Sequence, residues 1–435
     1  MKYFLIFSII LLFLYGCGGA GTTSSQPAAP GATKERPMLL IRISYNNRSF
    51  HNDAAIWQQK VFGFDAHELN HYFQEVSLSQ FHFTPAHERE GTPNDGIVSV
   101  TLNTAHPDSK ASMLIHPDLR QAVMLANTFV DFAAYDTDRN GALTPNELQL
   151  MFIIAGNDDA FSGPNAEPGV WAHSSCTQRA DTPVVDGVAL LGCAHHSGYA
   201  LFGERHGNHD ATIGIMAHEL GHAAFDLPDL YDTSEQSSGT GSFALMSAGM
   251  WGQDGLGDLP GATPTHLCAW SKTKLLWVIP TTLNKSAGLH VNFHAASSKT
   301  FNIIKLPINA NEYFLIENRH NSGYDRGLKM LSYYFEGGLA IWHIDEQVIE
   351  THLGDNTVNA TVTHKGVDLE EAAFPVLDFS ADAYGNRENL FYSGNVDAFT
   401  SETTPSTASY ENTPNTIAVE NISLPRSVMS ATISL

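Results

Sequence analysis

The stretch that most constrains the fold of this chain is HELGH, at residues 218–222. In a helix over residues 211–225, His218 and His222 lie one turn apart on the same face, with side-chain stems about 5–6 Å apart. Both imidazoles can then bind one zinc ion, which in catalytic sites keeps one position for water. Glu219 faces about 100° around the helix, so its carboxylate is better placed to accept a proton from the zinc-bound water than to bind the metal.

The residues on both sides of the motif favour this helix. Asp210 is a candidate N-cap, and Pro228 prevents the helix from continuing. Apolar residues recur at helical spacing along one face, namely Ile213, Met216, Leu220 and Ala224. The pattern therefore indicates a buried helix with a metal site, in preference to a chance motif on a solvated surface helix.

Two histidines and a water molecule leave a catalytic zinc ion one protein ligand short. Three aspartates follow the motif: Asp226, Asp229 and Asp232. Asp226 stays on the same face only if the helix continues, whereas Pro228 can turn the chain so that Asp229 returns to the metal. We predict Asp229 as the third ligand, and Asp226 and Asp232 remain alternatives.

A methionine-containing turn is predicted in the segment SFALMSAGMWG, residues 242–252. In the metzincins a methionine on a tight turn after the HExxH helix forms an apolar floor under the metal ligands. Met246 is the predicted Met-turn residue and Met250 the alternative. On this segment alone, a plain core methionine is nearly as good an interpretation.

A second metal site is predicted at residues 136–147, DTDRNGALTPNE. Calcium takes six to eight oxygen ligands, and an EF-hand loop supplies them from positions 1, 3, 5, 7, 9 and 12. Here those positions hold Asp136, Asp138, Asn140, the Ala142 carbonyl, Thr144 and Glu147. Because the following LQLMFIIAG favours a strand over a second helix, we expect a single structural calcium loop.

The charge balance excludes some partners. The 435 residues include 46 acidic and 23 basic side chains, for a formal net charge of −23, and no Lys/Arg cluster forms a basic stripe. Nucleic acid is therefore excluded as a partner on these grounds, and we expect a monomer. The length is sufficient for two domains.

The N-terminus predicts export. Residues 1–17, MKYFLIFSIILLFLYGC, have one early lysine and an apolar run too short to span a bilayer, which is typical of a secretory signal. LYGC resembles the bacterial lipobox, which implies acylation of Cys17 and a membrane lipid anchor at the outer membrane or cell surface. An ordinary cleaved signal is the alternative. Residues 18–36 are predicted to be a flexible tether.

Three cysteines remain after Cys17. In an exported protein Cys176 and Cys193, which close a short loop, are the predicted disulfide, and Cys268 is left free.

The pattern predicts a mixed α/β domain over residues 37–279 and a β-rich module over 280–435. The second part has short β-type runs separated by Asn, Gly, Ser and Pro. Its charged residues Glu317, His343, Asp345 and Glu346 are candidates for calcium binding or for a cleft, although a structural role is favoured.

Several ordered motifs together resemble the immune inhibitor A family of secreted bacterial zinc metallopeptidases. They are AHELGH followed by LPDLYD, FALMSAGMWG, PTHLCAWSK at 264–272, EYFLIENR at 312–319, GGLAIWHIDE at 337–346 and HKGVDLEEA at 364–372. The DTDRNG loop followed by a strand also matches this family. One departure is AAFD after His222, because family members commonly have HExxHxxGLPD.

The resemblance implies a metzincin-like α/β zincin catalytic domain, with a mixed sheet and the HExxH helix, followed by the β-rich C-terminal module. It also implies an endopeptidase that cleaves extracellular proteins, with zinc on His218, His222 and an aspartate of LPD, and with Glu219 as base. The alternative function is a non-catalytic, metal-stabilised surface lipoprotein that binds ligands or mediates adhesion.

Overall fold

The computed structural model describes residues 34–108, 112–162, 168–195 and 198–435. These residues form two compact units. The first contains residues 34–73 and Phe81–Asp226, and the second contains Gln74–Gln80 and Leu227–Leu435. The chain thus divides directly after the HELGH helix, whereas the sequence pattern placed a boundary near residue 279. The predicted signal, Cys17 and residues 18–33 of the tether lie outside the described residues, so the lipid anchor stays a prediction.

The elements up to Asp226 include both strands and helices. In chain order they are β1 (Lys34–Tyr45), α1 (Ala54–Phe62), α2 (Leu69–Val76), β2 (Phe81–Pro85), β3 (Ile97–Leu102), α3 (Ser112–Ala126), β4 (Gln149–Asp158), α4 (Asp159–Ser162), β5 (Gly169–Val170), β6 (His173–Ser175), β7 (Val184–Val185), β8 (Val188–Ala189), β9 (Tyr199–His206), β10 (His209–Asp210) and α5 (Ile213–Ala223). Helix α1 ends with Gly63 as its C-cap, and α2 begins at Leu69.

The main sheet of the first unit is mixed. Its eight strands include the path β10-β9-β4-β1-β2, with β3 also paired to β1, β5 to β4 and β6 to β9. Strands β2, β3 and β4 run parallel to β1, and β9 runs parallel to β4. Strands β6 and β10 pair with β9 in the antiparallel sense. Because β1 has neighbours on both edges, its residues from Met38 to Ile43 are buried in succession, as expected for a central parallel strand.

Strand β1 begins at Lys34, within the segment predicted to be a flexible tether. Lys34, Glu35 and Arg36 pair with residues 81–83 of β2 in parallel register. Arg36 also donates to the Ala224 carbonyl at 2.5 Å and to Asn146 Oδ1 at 2.7 Å. These three polar residues therefore belong to the folded unit, because strand pairing and specific hydrogen bonds outweigh their lack of apolar side chains.

The second unit is rich in strands, as the sequence predicted. Its elements are β11 (Thr281–Thr282), β12 (Leu289–His294), β13 (Ile304–Pro307), β14 (Glu312–His320), β15 (Gly337–Asp345), β16 (Val367–Leu369), β17 (Ala418–Glu420) and β18 (Val428–Ser434), with α6 (Ala269–Lys274) and α7 (Glu346–His352) between them. The strands form a five-stranded sheet, β11-β13-β14-β15-β16, and a three-stranded sheet, β12-β18-β17. Apolar side chains of both sheets, such as Phe314, Ile341 and Met429, form one core.

The cysteines are arranged as the sequence predicted. Cys176 and Cys193 form a disulfide with their Cα atoms 5.0 Å apart. Cys268 is a buried free thiol, and burial raises its pKa.

Among the described residues, none of the helices is both long and apolar enough to cross a bilayer.

Candidate metal centre

Helix α5 carries the HELGH motif and is buried from Ile213 to Gly221. It packs against β9 and β6 of the main sheet. The predicted N-cap is wrong, because Thr212 occupies the N-cap position and Asp210 lies in β10. There Asp210 accepts hydrogen bonds from Asn52 Nδ2 at 2.6 Å and pairs with Arg205, the residue opposite it on β9. The guanidinium and the amide thus hold this carboxylate away from the helix N-terminus.

The two histidines of α5 face each other at close range. The Nε2 atoms of His218 and His222 are 3.3 Å apart, and their rings are nearly perpendicular with centroids 4.8 Å apart. Two imidazole nitrogens bound to a tetrahedral zinc ion at about 2.0–2.1 Å would be separated by about 3.3–3.4 Å. The observed separation therefore matches that of two imidazole nitrogens on one zinc ion.

Glu219 lies between these histidines in the sequence and is 5% exposed. Neighbouring helical residues point about 100° apart, so its carboxylate leaves the helix in a direction different from that of the two imidazoles. A buried carboxylate beside two histidines that could hold a metal ion has the chemistry of a general base.

Helix α5 is followed by a chain segment, Ala224 to Asp226, that contains no glycine. Asp226 takes the left-handed conformation, with φ 54°, and its N–H donates to the His222 carbonyl at 2.9 Å. Phe225 packs against the rings of Phe73 and Phe81, and the Arg36 guanidinium lies 5.3 Å from its ring centroid. Aspartate tolerates this backbone conformation better than most residues. Asp226 can therefore end the helix in place of a glycine.

Of the three candidate aspartates, Asp229 and Asp232 are buried. Asp226 is exposed, and Asp232 accepts hydrogen bonds from the backbone and hydroxyls of Ser234 and Ser237. Two imidazoles and a carboxylate are a donor set that suits catalytic zinc.

The predicted Met-turn is a tight turn. Met246 is fully buried, and the N–H groups of Ser247 and Gly249 both donate to the Ala244 carbonyl, at 3.0 and 3.1 Å. The Met246 carbonyl accepts a hydrogen bond from the Leu230 N–H at 2.7 Å, directly after Asp229. Met250, the alternative, lies in a short 3-10 helix and is only partly buried.

The predicted calcium loop brings its acidic residues together. Asp136, Asp138 and Glu147 each offer a carboxylate oxygen within 4.8 Å of the others. Gly141 has φ 81°, which suits the sharp turn, and its N–H donates to Asp136 Oδ2 at 3.0 Å. Strand β4 follows the loop in place of the second helix of an EF-hand, as expected.

The charged residues of the second unit have structural partners. Glu317 accepts a hydrogen bond from Trp342 Nε1 at 2.9 Å and lies 3.6 Å from Lys272 Nζ. His343 lies between two carboxylates, Glu312 at 3.1 Å and Glu370 at 3.2 Å. Burial disfavours a charged His343, but the hydrogen bond and charge of Glu370 outweigh it and raise the pKa.

One residue that sequence reasoning missed is Asn356. It hydrogen-bonds to both the backbone and the carboxylate of Asp229. Since 127 residues separate the two, no local spacing in the sequence connects them.

Comparison with known proteins shows similarity to metallopeptidases. Residues 101–278 match the family model described as immune inhibitor A peptidase M6, catalytic domain. The chain is also 30% identical over 128 residues to the pre-pro-metalloprotease PrtV of Vibrio cholerae serotype O1, in the strains M66-2 and ATCC 39315 / El Tor Inaba N16961. This similarity covers 28% of the present chain but only 13% of the Vibrio protein.

Among solved structures, two crystal forms of wild-type OgpA from Akkermansia muciniphila show a weak overall likeness. The TM-scores are 0.29 and 0.31, at 14% and 15% identity, over 67% of this chain and 74% of OgpA. The family match over 101–278, which includes the HELGH helix, confirms the resemblance seen in the sequence. Residues 101–278 are thus similar to the catalytic domain of the immune inhibitor A, or M6, peptidases.

Proposed function

We propose that this chain is a zinc-dependent endopeptidase that hydrolyses peptide bonds of extracellular proteins. His218, His222 and Asp229 are the proposed zinc ligands, and Glu219 is the proposed general base. The observation that carries this proposal is the 3.3 Å separation of the His218 and His222 Nε2 atoms on the buried helix α5.

The side chains divide the chemistry between them. The two neutral imidazoles and the Asp229 carboxylate would hold the ion and leave one position for water. The chemistry that zinc supplies when bound is acidification of that water and polarisation of the scissile carbonyl. The Glu219 carboxylate accepts the proton as water attacks the peptide carbon and then delivers it to the leaving amine. Burial of Glu219 at 5% exposure strengthens these electrostatic interactions by excluding solvent.

The finer fold assignment is part of the same proposal. A mixed sheet with the HELGH helix packed on β9 and a tight methionine turn after the helix support a metzincin-like zincin domain. Met246 is the proposed Met-turn residue, since its side chain is fully buried and its carbonyl binds the residue that follows Asp229.

The direct test is cleavage of unfolded casein by the purified protein. We expect hydrolysis that stops when a zinc chelator is added and returns when zinc is restored, because the ligands without the ion lack a Lewis acid. Zinc binding without any cleavage of casein or of a mixed peptide library would favour the alternative, a surface module that binds ligands without hydrolysis.

We also propose that residues 136–147 bind a structural calcium ion through Asp136, Asp138, Asn140, Ala142, Thr144 and Glu147. The support is the convergence of three carboxylates and the left-handed Gly141 at the sharp turn. The loop leads directly into the central strand β4, so ordering the loop would stabilise the main sheet.

Calcium is therefore expected to raise the melting temperature of the wild-type protein. A ligand present at 100 times its Kd stabilises the folded state by about 2.7 kcal/mol. The variant Glu147→Gln is expected to lose this dependence, whereas Glu411→Gln, which changes an exposed glutamate, should keep it. Differential scanning calorimetry with calcium and with a calcium chelator measures the shift, and equal shifts in both variants would contradict the assignment.

A further inference from the structure

The Asp229 side chain is held by a residue far along the chain. Asn356 Nδ2 donates to Asp229 Oδ2 at 2.6 Å, and the Asp229 N–H donates to Asn356 Oδ1 at 2.8 Å. One amide group thus contacts both the backbone and the carboxylate of the same aspartate. This reciprocal pair fixes the position of the residue and the rotation of its side chain together.

The backbone at Asn356 suits this role. Asn356 follows α7 and has φ 58°, a left-handed conformation that asparagine adopts more readily than most residues. Its carbonyl accepts a hydrogen bond from Thr233 Oγ1 at 3.4 Å, and its N–H donates to the Leu353 carbonyl, also at 3.4 Å. Both backbone polar groups of Asn356 are therefore hydrogen-bonded, which holds the backbone that presents the amide side chain.

The next residue of the metal-binding segment is fixed independently. The Leu230 carbonyl accepts from Asn359 Nδ2 at 3.0 Å and from the Thr240 N–H at 2.9 Å, and its N–H donates to Met246. These bonds fix the backbone around Asp229 but do not set the angle of its carboxylate. The amide of Asn356 sets that angle by donating to one carboxylate oxygen. Because a carboxylate is planar and rigid, fixing one oxygen also fixes the direction of the other.

We propose that Asn356 is a positioning residue that orients the Asp229 carboxylate for metal binding. This inference rests on the proposed function, in which Asp229 is the third zinc ligand. Residues that hydrogen-bond to a metal ligand typically change metal affinity by about 10–100-fold when they are replaced. The side chain of Asn356 fits because it carries a donor for the carboxylate and an acceptor for the N–H.

Two variants separate the parts of this interaction. Asn356→Asp keeps an acceptor for the Asp229 N–H but replaces the donor with a second carboxylate, which repels Asp229. Asn356→Gly removes the side chain and retains a residue that readily adopts a positive φ. We expect the zinc Kd, measured by competition with a chromophoric chelator, to rise about 10–100-fold in both variants.

Asn421→Asp is the matched control, because Asn421 is exposed, has φ 54° and undergoes the same change of charge. It is expected to leave the zinc Kd at the wild-type value. The visible absorption spectrum of the Co²⁺-substituted protein gives a second readout, because it reports coordination geometry. We expect the spectrum to change in the Asn356 variants and not in the control.

A wild-type zinc Kd and an unchanged Co²⁺ spectrum in both Asn356 variants would overturn the inference. In that case, zinc loss on replacement of His218 or His222 would still support the proposed function. If the histidine variants also bind zinc as tightly as the wild type, the zinc-site assignment itself is wrong, and the two failures are thereby distinguished.

Discussion

Replacing Glu219 with glutamine is expected to lower kcat for peptide hydrolysis by about 10²–10⁴-fold, the contribution typical of a positioned acid–base group. Glutamine has nearly the same size and keeps an oxygen acceptor, but its amide cannot take up the proton of the attacking water. Since Glu219 is not a proposed ligand, the zinc content is expected to stay at the wild-type level. Steady-state cleavage of a fluorogenic peptide and elemental analysis of the same sample measure the two quantities.

The matched control is Glu350→Gln, which makes the same change at an exposed position in the helix α7. It is expected to retain wild-type kcat. A Glu219→Gln enzyme that cleaves peptides at the wild-type rate would contradict the general-base assignment. Loss of zinc from this variant would instead indicate that Glu219 acts on the metal site itself.

Replacing His222 with alanine is expected to remove both zinc and activity. The variant keeps helix α5, because alanine is the strongest helix former, but it leaves one imidazole and one carboxylate to hold the ion. Loss of a hydrogen bond to a metal ligand typically weakens metal binding by about 10–100-fold. Loss of a ligand itself is expected to weaken zinc binding by more than that. Competition with a chromophoric chelator measures the zinc Kd, and peptide cleavage measures the activity.

For this prediction the control is His290→Ala, which removes an exposed imidazole in strand β12. The control should bind zinc as the wild type does. Circular dichroism at equal concentration checks that α5 and the sheets remain folded in both variants. Tight zinc binding by a folded His222→Ala protein would contradict the assignment of this histidine as a ligand.

The helix that carries the site could be predicted because its signals are local. Apolar residues repeat at helical spacing from Ile213 to Leu220, and the HELGH motif places its histidines one turn apart. The proposed calcium loop has a signal that is local in the same way, because its oxygen-bearing residues follow a fixed spacing within 12 positions. The β-rich character of the C-terminal part also has a local signal, because its short β-type runs are separated by Asn, Gly, Ser and Pro.

What the sequence could not show depends on residues that are distant along the chain. Asp210 has the side chain of an N-cap, but pairing with Arg205 and Asn52 places it in a strand. Arg36 follows a Gly/Ser/Pro-rich segment, yet it joins β1 and donates to the carbonyl of Ala224 beyond the end of α5. Asn356 contacts Asp229 across 127 residues. Propensity and local spacing carry no information about such tertiary contacts.

The central claim is that a transition-metal ion is bound by His218, His222 and Asp229 and is required for peptide hydrolysis. The most direct measurement is elemental analysis of the protein purified without chelators, together with the His222→Ala variant. We expect stoichiometric zinc in the wild type and little in the variant. A wild-type protein that holds no zinc even after zinc is added back, or that hydrolyses peptides without it, would contradict this account.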